Sequence, residues 1–161
     1  MKTLKILFVL CIMLGLAAPA NSQGKSKPHE RPLKGSFYAQ VVEEYPTTEL
    51  MSIIGNATHF GNVNGSEMTL VRPTPPPPLV ATFVGTLMAA NGDCAYFYGI
   101  SNMVITKPDP SGQHAGTMTG KIYFDNGTGR FKNCTGEADM AGIFDMKASC
   151  AKYDINGTIT Y

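Results

Sequence analysis

Tryptophan is absent from this chain of 161 residues, and charged side chains make up only 16% of it. Beyond the first twenty residues, no apolar run is long enough to span a membrane as a helix. Phosphate-binding loops and Gly-x-Ser-x-Gly or His-Glu-x-x-His motifs are missing, as are Cys-x-x-Cys and His-x-x-x-His spacings. The chain thus lacks the signatures of nucleotide hydrolases, serine hydrolases and zinc enzymes, and we expect neither a cofactor nor a metal site.

The first twenty residues have the pattern of a secretory signal peptide. Lys2 and Lys5 precede an apolar run over residues 6–16, and small residues lead to a predicted cleavage after Ala20. Cleavage would leave 11 basic and 12 acidic residues, a balance that argues against an electrostatic nucleic-acid binder or a polybasic membrane patch. We therefore expect a secreted protein of the periplasm or the cell exterior, with no membrane span.

The remaining residues divide into a polar segment and one domain. Residues 21–34 contain almost no apolar side chains, so we predict a disordered lead-in. Residues 35–161 suffice for one domain, and its apolar runs are short, rich in β-branched and aromatic residues and without a helical period. They predict an all-β domain of about eight strands. The runs are Ser36–Val42, Met51–Ile54, Thr58–Val63, Met68–Val71, Leu79–Ala90, Cys94–Thr106, Gly116–Phe124, Gly136–Phe144 and Ala148–Tyr161.

The run Leu79–Ala90 is apolar on both of its alternating faces, with Phe83 on one face and Val84 on the other. The Asn91-Gly92 pair that follows it predicts a tight hairpin. Two apolar faces favour a closed antiparallel barrel whose outer wall is covered by loops or by another subunit, and a β-sandwich is the alternative. Because the lead-in is too polar to serve as cover, we expect a homo-oligomer.

The sulfur-containing side chains leave several interpretations open. Three cysteines follow the signal segment, an odd number for an oxidising compartment, so either one disulfide and one thiol or three thiols are expected. If one bridge forms, Cys134 and Cys150 are the first choice, since both flank the last predicted hairpin. The seven methionines after Ala20 form no Met-x-x-Met cluster and are interpreted as soft filling of the core.

Four residues are candidates for a ligand site. His59 could act as a base or a ligand, or it could be a hydrogen-bonded structural residue beside a bulge. Arg130, in a glycine-rich turn, could bind a carboxylate at the mouth of a barrel, or it could pair with an acidic side chain and lock its turn. Tyr96 and Tyr98 could line a pocket, although large amphipathic residues are ordinary on barrel strands. No residue is assigned a catalytic role.

The segment Asn126–Ala138 has glycines at a tight turn, then Phe131, then small residues that open a strand, and the chain closes with Ile155–Tyr161. This end resembles the allene oxide cyclase and dirigent barrel superfamily. The segments Gly55–Gly61 and Ala89–Asp93 also resemble small secreted bacterial proteins related to that barrel. The resemblance implies an eight-stranded antiparallel barrel with an apolar cavity, often trimeric, so a trimer is expected before a dimer.

Two functions follow as expectations. The first is a non-catalytic secreted barrel that binds an apolar small molecule, or that assembles with itself or with a surface partner. The alternative, implied by the resemblance, is a cyclase-like or dirigent-like barrel that orients a reactive intermediate in its cavity, as an isomerase or cyclase would. A large cavity with converging polar groups would favour ligand handling or catalysis over assembly alone.

Overall fold

The computed structural model describes residues 29–73 and 78–161, so the predicted signal peptide and residues 21–28 lie outside the described residues. Eight antiparallel strands close into one barrel in which each strand pairs with the next and β8 pairs with β1, which confirms the predicted fold class. No helix within these two ranges is long and apolar enough to cross a membrane. The elements are β1 (Glu30–Glu44), β2 (Thr48–Ala57), β3 (Gly61–Val71), β4 (Leu79–Met88), β5 (Cys94–Lys107), β6 (Ala115–Gly127), a 3-10 turn (Gly129–Phe131), β7 (Thr135–Asp145) and β8 (Cys150–Thr160).

The barrel begins at Glu30, which corrects the predicted domain boundary at residue 35. Residues 30–34 belong to β1 and pair with the end of β8, where Leu33 lies opposite Gly157 and is fully buried. The polar composition suggested disorder because it describes the segment alone. A strand that closes a barrel obtains its hydrogen bonds from a partner far along the chain, which composition does not reveal.

The turn between β2 and β3 lies at residues 58–60, inside a run that the sequence predicted as a strand. His59 and Gly61 adopt φ angles of 70° and 68° there, the left-handed conformation that a tight turn requires. The predicted break at Gly55 is instead an irregularity within the strands, because the β2–β3 register shifts between Ile53 and Gly55. Gly55 thus coincides with an irregularity in the strand, whereas the chain reverses four residues later, at His59.

The connections alternate between the two ends of the barrel because consecutive strands are antiparallel. The closed end carries the β2–β3 turn, the β4–β5 turn and the β6–β7 connection. The predicted hairpin at Asn91-Gly92 is confirmed, with Gly92 at a φ of 86°. Phe131 of the 3-10 turn is fully buried and stacks on Phe60 with ring centroids 4.5 Å apart, so the lumen is plugged here. The opposite end, where the other four loops lie, is called the open end below.

One face of each strand fills the barrel and the other faces outward. On β4, Leu79, Ala81, Phe83 and Leu87 point inward and are buried. Two apolar faces were predicted for this strand, and the outward one is exposed in the single chain. The outer apolar patch, as we call it, consists of Val80, Val84, Tyr96, Tyr98, Ile100 and Val104 on β4 and β5.

Gly99 gives the ring of Phe83 room inside the barrel. The two residues are opposite each other in the β4–β5 register, and a Cβ atom at position 99 would overlap the Phe83 ring. Phe83 then packs edge-on against Phe97 at 6.2 Å, and Phe37 packs against Tyr153 at 5.4 Å between centroids. These aromatic pairs fill the middle of the lumen and separate its two ends.

The cysteines of the described chain are free thiols, so the predicted Cys134–Cys150 bridge is wrong. Cys134 precedes β7, whereas Cys150 begins β8 opposite Asp145 at the far end of the same hairpin. The length of β7 separates the two residues by roughly 30 Å. A disulfide needs Cα atoms no more than about 7 Å apart. Both residues do flank the last hairpin, but at opposite ends of the barrel.

Candidate functional site

A cavity of about 630 Å³ occupies the open half of the barrel. Its wall is formed by inward residues of the strands, and its mouth is formed by residues next to the four open-end loops. Small side chains create the space, because Ala81 on β4, Ser101 on β5 and Gly120 on β6 lie side by side in register. Phe83 and Tyr153 bound the cavity towards the aromatic pairs.

Methionine side chains make up much of the apolar wall. Six of the seven methionines that follow Ala20 line the cavity, and Met51, Met68, Met118 and Met140 are also buried in the core, as the predicted soft core filling requires. Unbranched, polarizable thioether side chains adapt to ligands of different shape, which suits a binding wall. The six residues are Met51, Met68, Met103, Met118, Met140 and Met146.

Ser101 places a polar group on this apolar wall. The residue is 3% exposed, and its Oγ has no hydrogen-bond partner among the described residues. A buried hydroxyl without a partner costs roughly 1–3 kcal/mol, so native proteins rarely leave one unsatisfied. Its neighbours in register, Ala81 and Gly120, have no polar side-chain atoms to offer. Within the cavity, this hydroxyl is therefore free to donate to or accept from a bound molecule.

Tyr153 provides a second polar group, at the end of the cavity that faces the aromatic pairs. Burial raises the pKa of its phenol far above the ordinary value, so the hydroxyl keeps its proton across the physiological range. The residue is 6% exposed and lines the cavity. The interior therefore offers hydroxyl groups and apolar surface but no charge.

The mouth of the cavity contains a short ion-pair network centred on Arg72. Its Nη2 lies 2.7 Å from Oε2 of Glu44, and its Nε lies 2.9 Å from Oε1 of Glu49. The hydrogen bond that Arg72 donates to Glu44, together with the charges of both carboxylates, raises the pKa of Arg72, which is thus always charged. The network joins the end of β1 and the start of β2 to the residue that follows β3, and it fixes one side of the mouth.

His114 and Asp145 lie on the other side of the mouth. The backbone N–H of Asp109 donates to Nδ1 of His114 at 3.0 Å, which leaves Nε2 to carry the ring proton. The carbonyl of His114 accepts from the N–H of Met146 at 2.9 Å, so the β5–β6 and β7–β8 loops are joined. Both His114 and Asp145 line the cavity.

The predicted residues His59 and Arg130 are brought together, but at the closed end. Nη2 of Arg130 donates to the carbonyl of His59 at 2.5 Å, and Nε2 of His59 lies 2.9 Å from the carbonyl of Pro32. Nε of Arg130 is 3.8 Å from Oδ2 of Asp93. Neither residue lines the cavity. Arg130 thus contacts Asp93 and a carbonyl of the β2–β3 turn, and His59 contacts the backbone of β1, which are contacts that the structural interpretations of the two residues predict.

The predicted residues Tyr96 and Tyr98 lie on the outside of the barrel. They are 41% and 49% exposed and belong to the outer apolar patch. The ring of Tyr98 stacks on that of Tyr123 with centroids 5.3 Å apart. Alternation along β5 explains this placement, because Phe97, Gly99 and Ser101 take the inward positions.

The residues that line the cavity were not among the predicted site residues, for physical reasons. Ser101 and Tyr153 lie at alternate strand positions that point inward, as the core residues do, but a sequence does not show whether a hydroxyl has a hydrogen-bond partner. Arg72 and His114 adjoin loops, where polar residues are expected without any site. Across residues 29–73 and 78–161, no group of three or more His, Cys, Asp or Glu residues is placed to hold a metal ion.

Comparisons with known proteins support the barrel and leave the activity open. No family model and no curated protein matches this chain. A solved structure, that of the pterocarpan synthase dirigent protein GePTS1, matches with a TM-score of 0.56 at 13% sequence identity. The match covers 86% of this chain and 93% of that chain. At this identity the likeness concerns the fold alone. The chain therefore has the closed eight-stranded barrel that this dirigent protein also has.

Proposed function

We propose that this protein binds a small, mainly apolar molecule in the cavity at the open end. The observation that carries the proposal is Ser101, a buried hydroxyl that has no partner among the described residues and lies on the wall of a cavity of about 630 Å³. Pockets for small molecules are typically apolar with a few polar groups, and they measure roughly 300–1,000 Å³. A ligand with a hydroxyl, carbonyl or amine group would satisfy Ser101 and cover the methionine wall.

The architecture supports binding at this end and not at the other. The stacked rings of Phe60 and Phe131 close the opposite end, and Arg130 holds their turn in place. The open end has loops that are tied together in pairs, by Arg72 on one side and by the bond between His114 and Met146 on the other. Such ties keep the mouth preformed, which lowers the entropic cost of binding.

Filling the cavity tests the proposal. Ala81 is fully buried and lines the cavity beside Ser101, so Ala81→Phe places a ring where the ligand would lie. Thr119 is exposed on the outer face of β6, so Thr119→Phe adds the same ring to the outside as a control. The neutral dye N-phenyl-1-naphthylamine is a suitable probe because the chain has no tryptophan, whose emission would overlap the excitation of the dye. We expect wild type and Thr119→Phe to enhance the dye fluorescence saturably, and Ala81→Phe to lose most of that binding.

A second comparison tests the role of the hydroxyl. Ser101→Ala removes Oγ and slightly enlarges the cavity. We expect this variant to bind 1-naphthol about three- to tenfold more weakly than wild type does, as the loss of one hydrogen bond predicts. Its affinity for naphthalene should stay the same or rise. The proposal fails if Ala81→Phe binds the neutral dye as well as wild type does while its far-UV spectrum remains that of a β-barrel.

A second proposed function is that the cavity orients a reactive intermediate. What supports it is the barrel shared with a dirigent protein named as a pterocarpan synthase, together with the resemblance of residues Asn126–Ala138 to the dirigent barrel superfamily. Oriented binding by a methionine wall and one hydroxyl needs few acid–base groups. The test is whether the protein changes the stereochemistry or regiochemistry of a coupling or cyclisation product without being consumed. A ligand recovered unchanged favours simple binding.

Self-association and export are also proposed. The outer apolar patch supports association, because large apolar areas rarely stay exposed on a monomer. We propose that a second copy of this chain covers the patch.

We also propose that the signal-like first twenty residues direct export of the protein. N-terminal sequencing of the secreted protein should begin shortly after Ala20, and an intact Met1 on cytoplasmic protein would argue against export.

A further inference from the structure

We infer that the mouth of the cavity selects ligands by charge and accepts an apolar molecule with a cationic group in preference to one with a carboxylate. The inference rests on the proposed function, since it concerns the ligand of the same cavity. Two observations carry it: the imbalance of charges that line the mouth, and the uncharged interior, where the buried hydroxyl of Ser101 has no partner among the described residues.

The charges that line the mouth are unequal. Glu44, Glu49 and Asp145 contribute three carboxylates, whereas Arg72 is the sole lysine or arginine among the described lining residues. Both of its ion pairs go to Glu44 and Glu49, at 2.7 and 2.9 Å, so its charge is already compensated by the protein. A ligand carboxylate would therefore have to displace one of these partners to reach a cation.

The neighbouring loop residues do not cancel this imbalance. Glu43 and Asp109 lie near the mouth without lining it, and Lys107 and Lys147 offset them. Residues 74–77, which complete the β3–β4 loop, are Thr-Pro-Pro-Pro and carry no ionisable side chain. The open end thus keeps an excess of about two negative charges when histidine is neutral.

Asp145 is the carboxylate best placed to meet a ligand cation. Its Oδ1 accepts from the N–H of Ala148 at 3.0 Å, and it makes no ion pair among the described residues. His114 precedes Ala115, the register partner of Asp145, so the two side chains belong to the same side of the mouth. A protonated amine could bind Asp145 without displacing any protein cation.

The interior forces a charged group to stay at the mouth. A charge moved into the apolar half of the barrel would lose its hydration, and the neutral hydroxyls of Ser101 and Tyr153 cannot replace it. The apolar body of a ligand would therefore enter first, and its charged end would remain among the carboxylates. The low-dielectric wall focuses their field on this position, and added salt weakens it.

A matched series of three ligands tests the inference. 1-Naphthylmethylamine, 1-naphthylmethanol and 1-naphthoate share an apolar body and differ in charge at about pH 7.5. Fluorescence titration should show the amine binding about fivefold to tenfold more tightly than the carboxylate, with the alcohol between them. Raising the salt concentration should reduce this ratio.

Two double variants locate the effect. Glu44→Gln with Asp145→Asn removes two charges at the mouth and should bring the ratio of amine to carboxylate affinity close to one. Glu30→Gln with Asp125→Asn removes two charges from exposed residues at the closed end and should leave the ratio as in wild type. Equal affinities in wild type, or a tighter carboxylate, would overturn charge selection and leave cavity binding intact. Failure of all three ligands to bind would overturn the proposed function and this inference together.

Discussion

Gly129 is a position where one added methyl group should destabilise the closed end of the barrel. It begins the 3-10 turn that places Phe131 in the closed end, and its φ is 53°. A Cβ atom at this position would overlap the carboxylate of Asp93, which accepts hydrogen bonds from Asn91 and from the backbone N–H of Arg130. Gly129→Ala therefore strains the backbone and displaces a side chain that anchors the turn.

The two costs can be separated by a matched control. Gly92→Ala places alanine at a φ of 86°, but nothing lies within 4 Å of the added Cβ atom. We expect it to lower the free energy of unfolding by about 1–2 kcal/mol, the cost of left-handed backbone for a residue other than glycine. Gly129→Ala bears a similar backbone cost and a steric overlap of about 1–3 kcal/mol, so its total loss should be about 2–5 kcal/mol.

Urea unfolding followed by far-UV circular dichroism measures both losses in the same buffer. The midpoint for Gly129→Ala should fall clearly below that for Gly92→Ala, with similar slopes. Adding Asp93→Ala to Gly129→Ala removes the overlapping carboxylate and should destabilise less than the two separate changes combined. Equal midpoints for the two glycine variants would refute the packing described for the closed end.

Three further predictions concern the cysteines, the acid limb and the outer wall. Burial raises the pKa of the Cys134 thiol to about 11. At about pH 8 we therefore expect iodoacetamide to label Cys94 and Cys150 but to leave Cys134 unmodified until urea is added. Peptide mass mapping measures which of the three cysteines is labelled. Asn91 and the backbone of Arg130 lower the pKa of Asp93, so the stability it provides is present above about pH 4 and lost as the pH falls further. Asp93→Asn should therefore make the free energy of unfolding less dependent on pH below about pH 4. The same pH dependence in wild type and variant would contradict the stabilising role of the Asp93 carboxylate. Tyr98→Lys, in the outer apolar patch, should lower the mass seen in sedimentation while the far-UV spectrum stays β-rich, and a wild type monomeric at high micromolar concentration would exclude association through the patch.

The barrel was predictable because its signals are local. Alternation along Leu79–Ala90 and the turn residues Asn91 and Gly92 specify a hairpin before any partner is known. The start of β1 was not predictable in this way, since Glu30 and Leu33 are ordered by β8 at the other end of the chain. Closure of a barrel pairs strands that are far apart in the sequence, so the composition of a polar segment does not predict that it will pair.

The site was harder to predict than the fold because its residues are ordinary in isolation. His59 and Arg130 attracted notice because they stand in glycine-rich segments, yet those segments build the plug. Ser101 matters only because Ala81 and Gly120 lie beside it in register, and register decides which end of the lumen stays empty. Alternation along β5 predicts that Ser101 points inward, but only the structure shows that its Oγ has no hydrogen-bond partner among the described residues.

A crystal structure with a neutral brominated aromatic, such as 4-bromophenol, tests the central claim most directly, because anomalous scattering locates the bromine without ambiguity. Our account predicts one strong peak inside the barrel at the open end, among the methionine side chains, with the phenol oxygen within hydrogen-bond distance of Ser101 Oγ. The same soak into Ala81→Phe crystals should give no peak there. An empty cavity in wild-type crystals, or bromine bound only on the outer apolar patch, would contradict the proposal that this barrel binds its ligand inside.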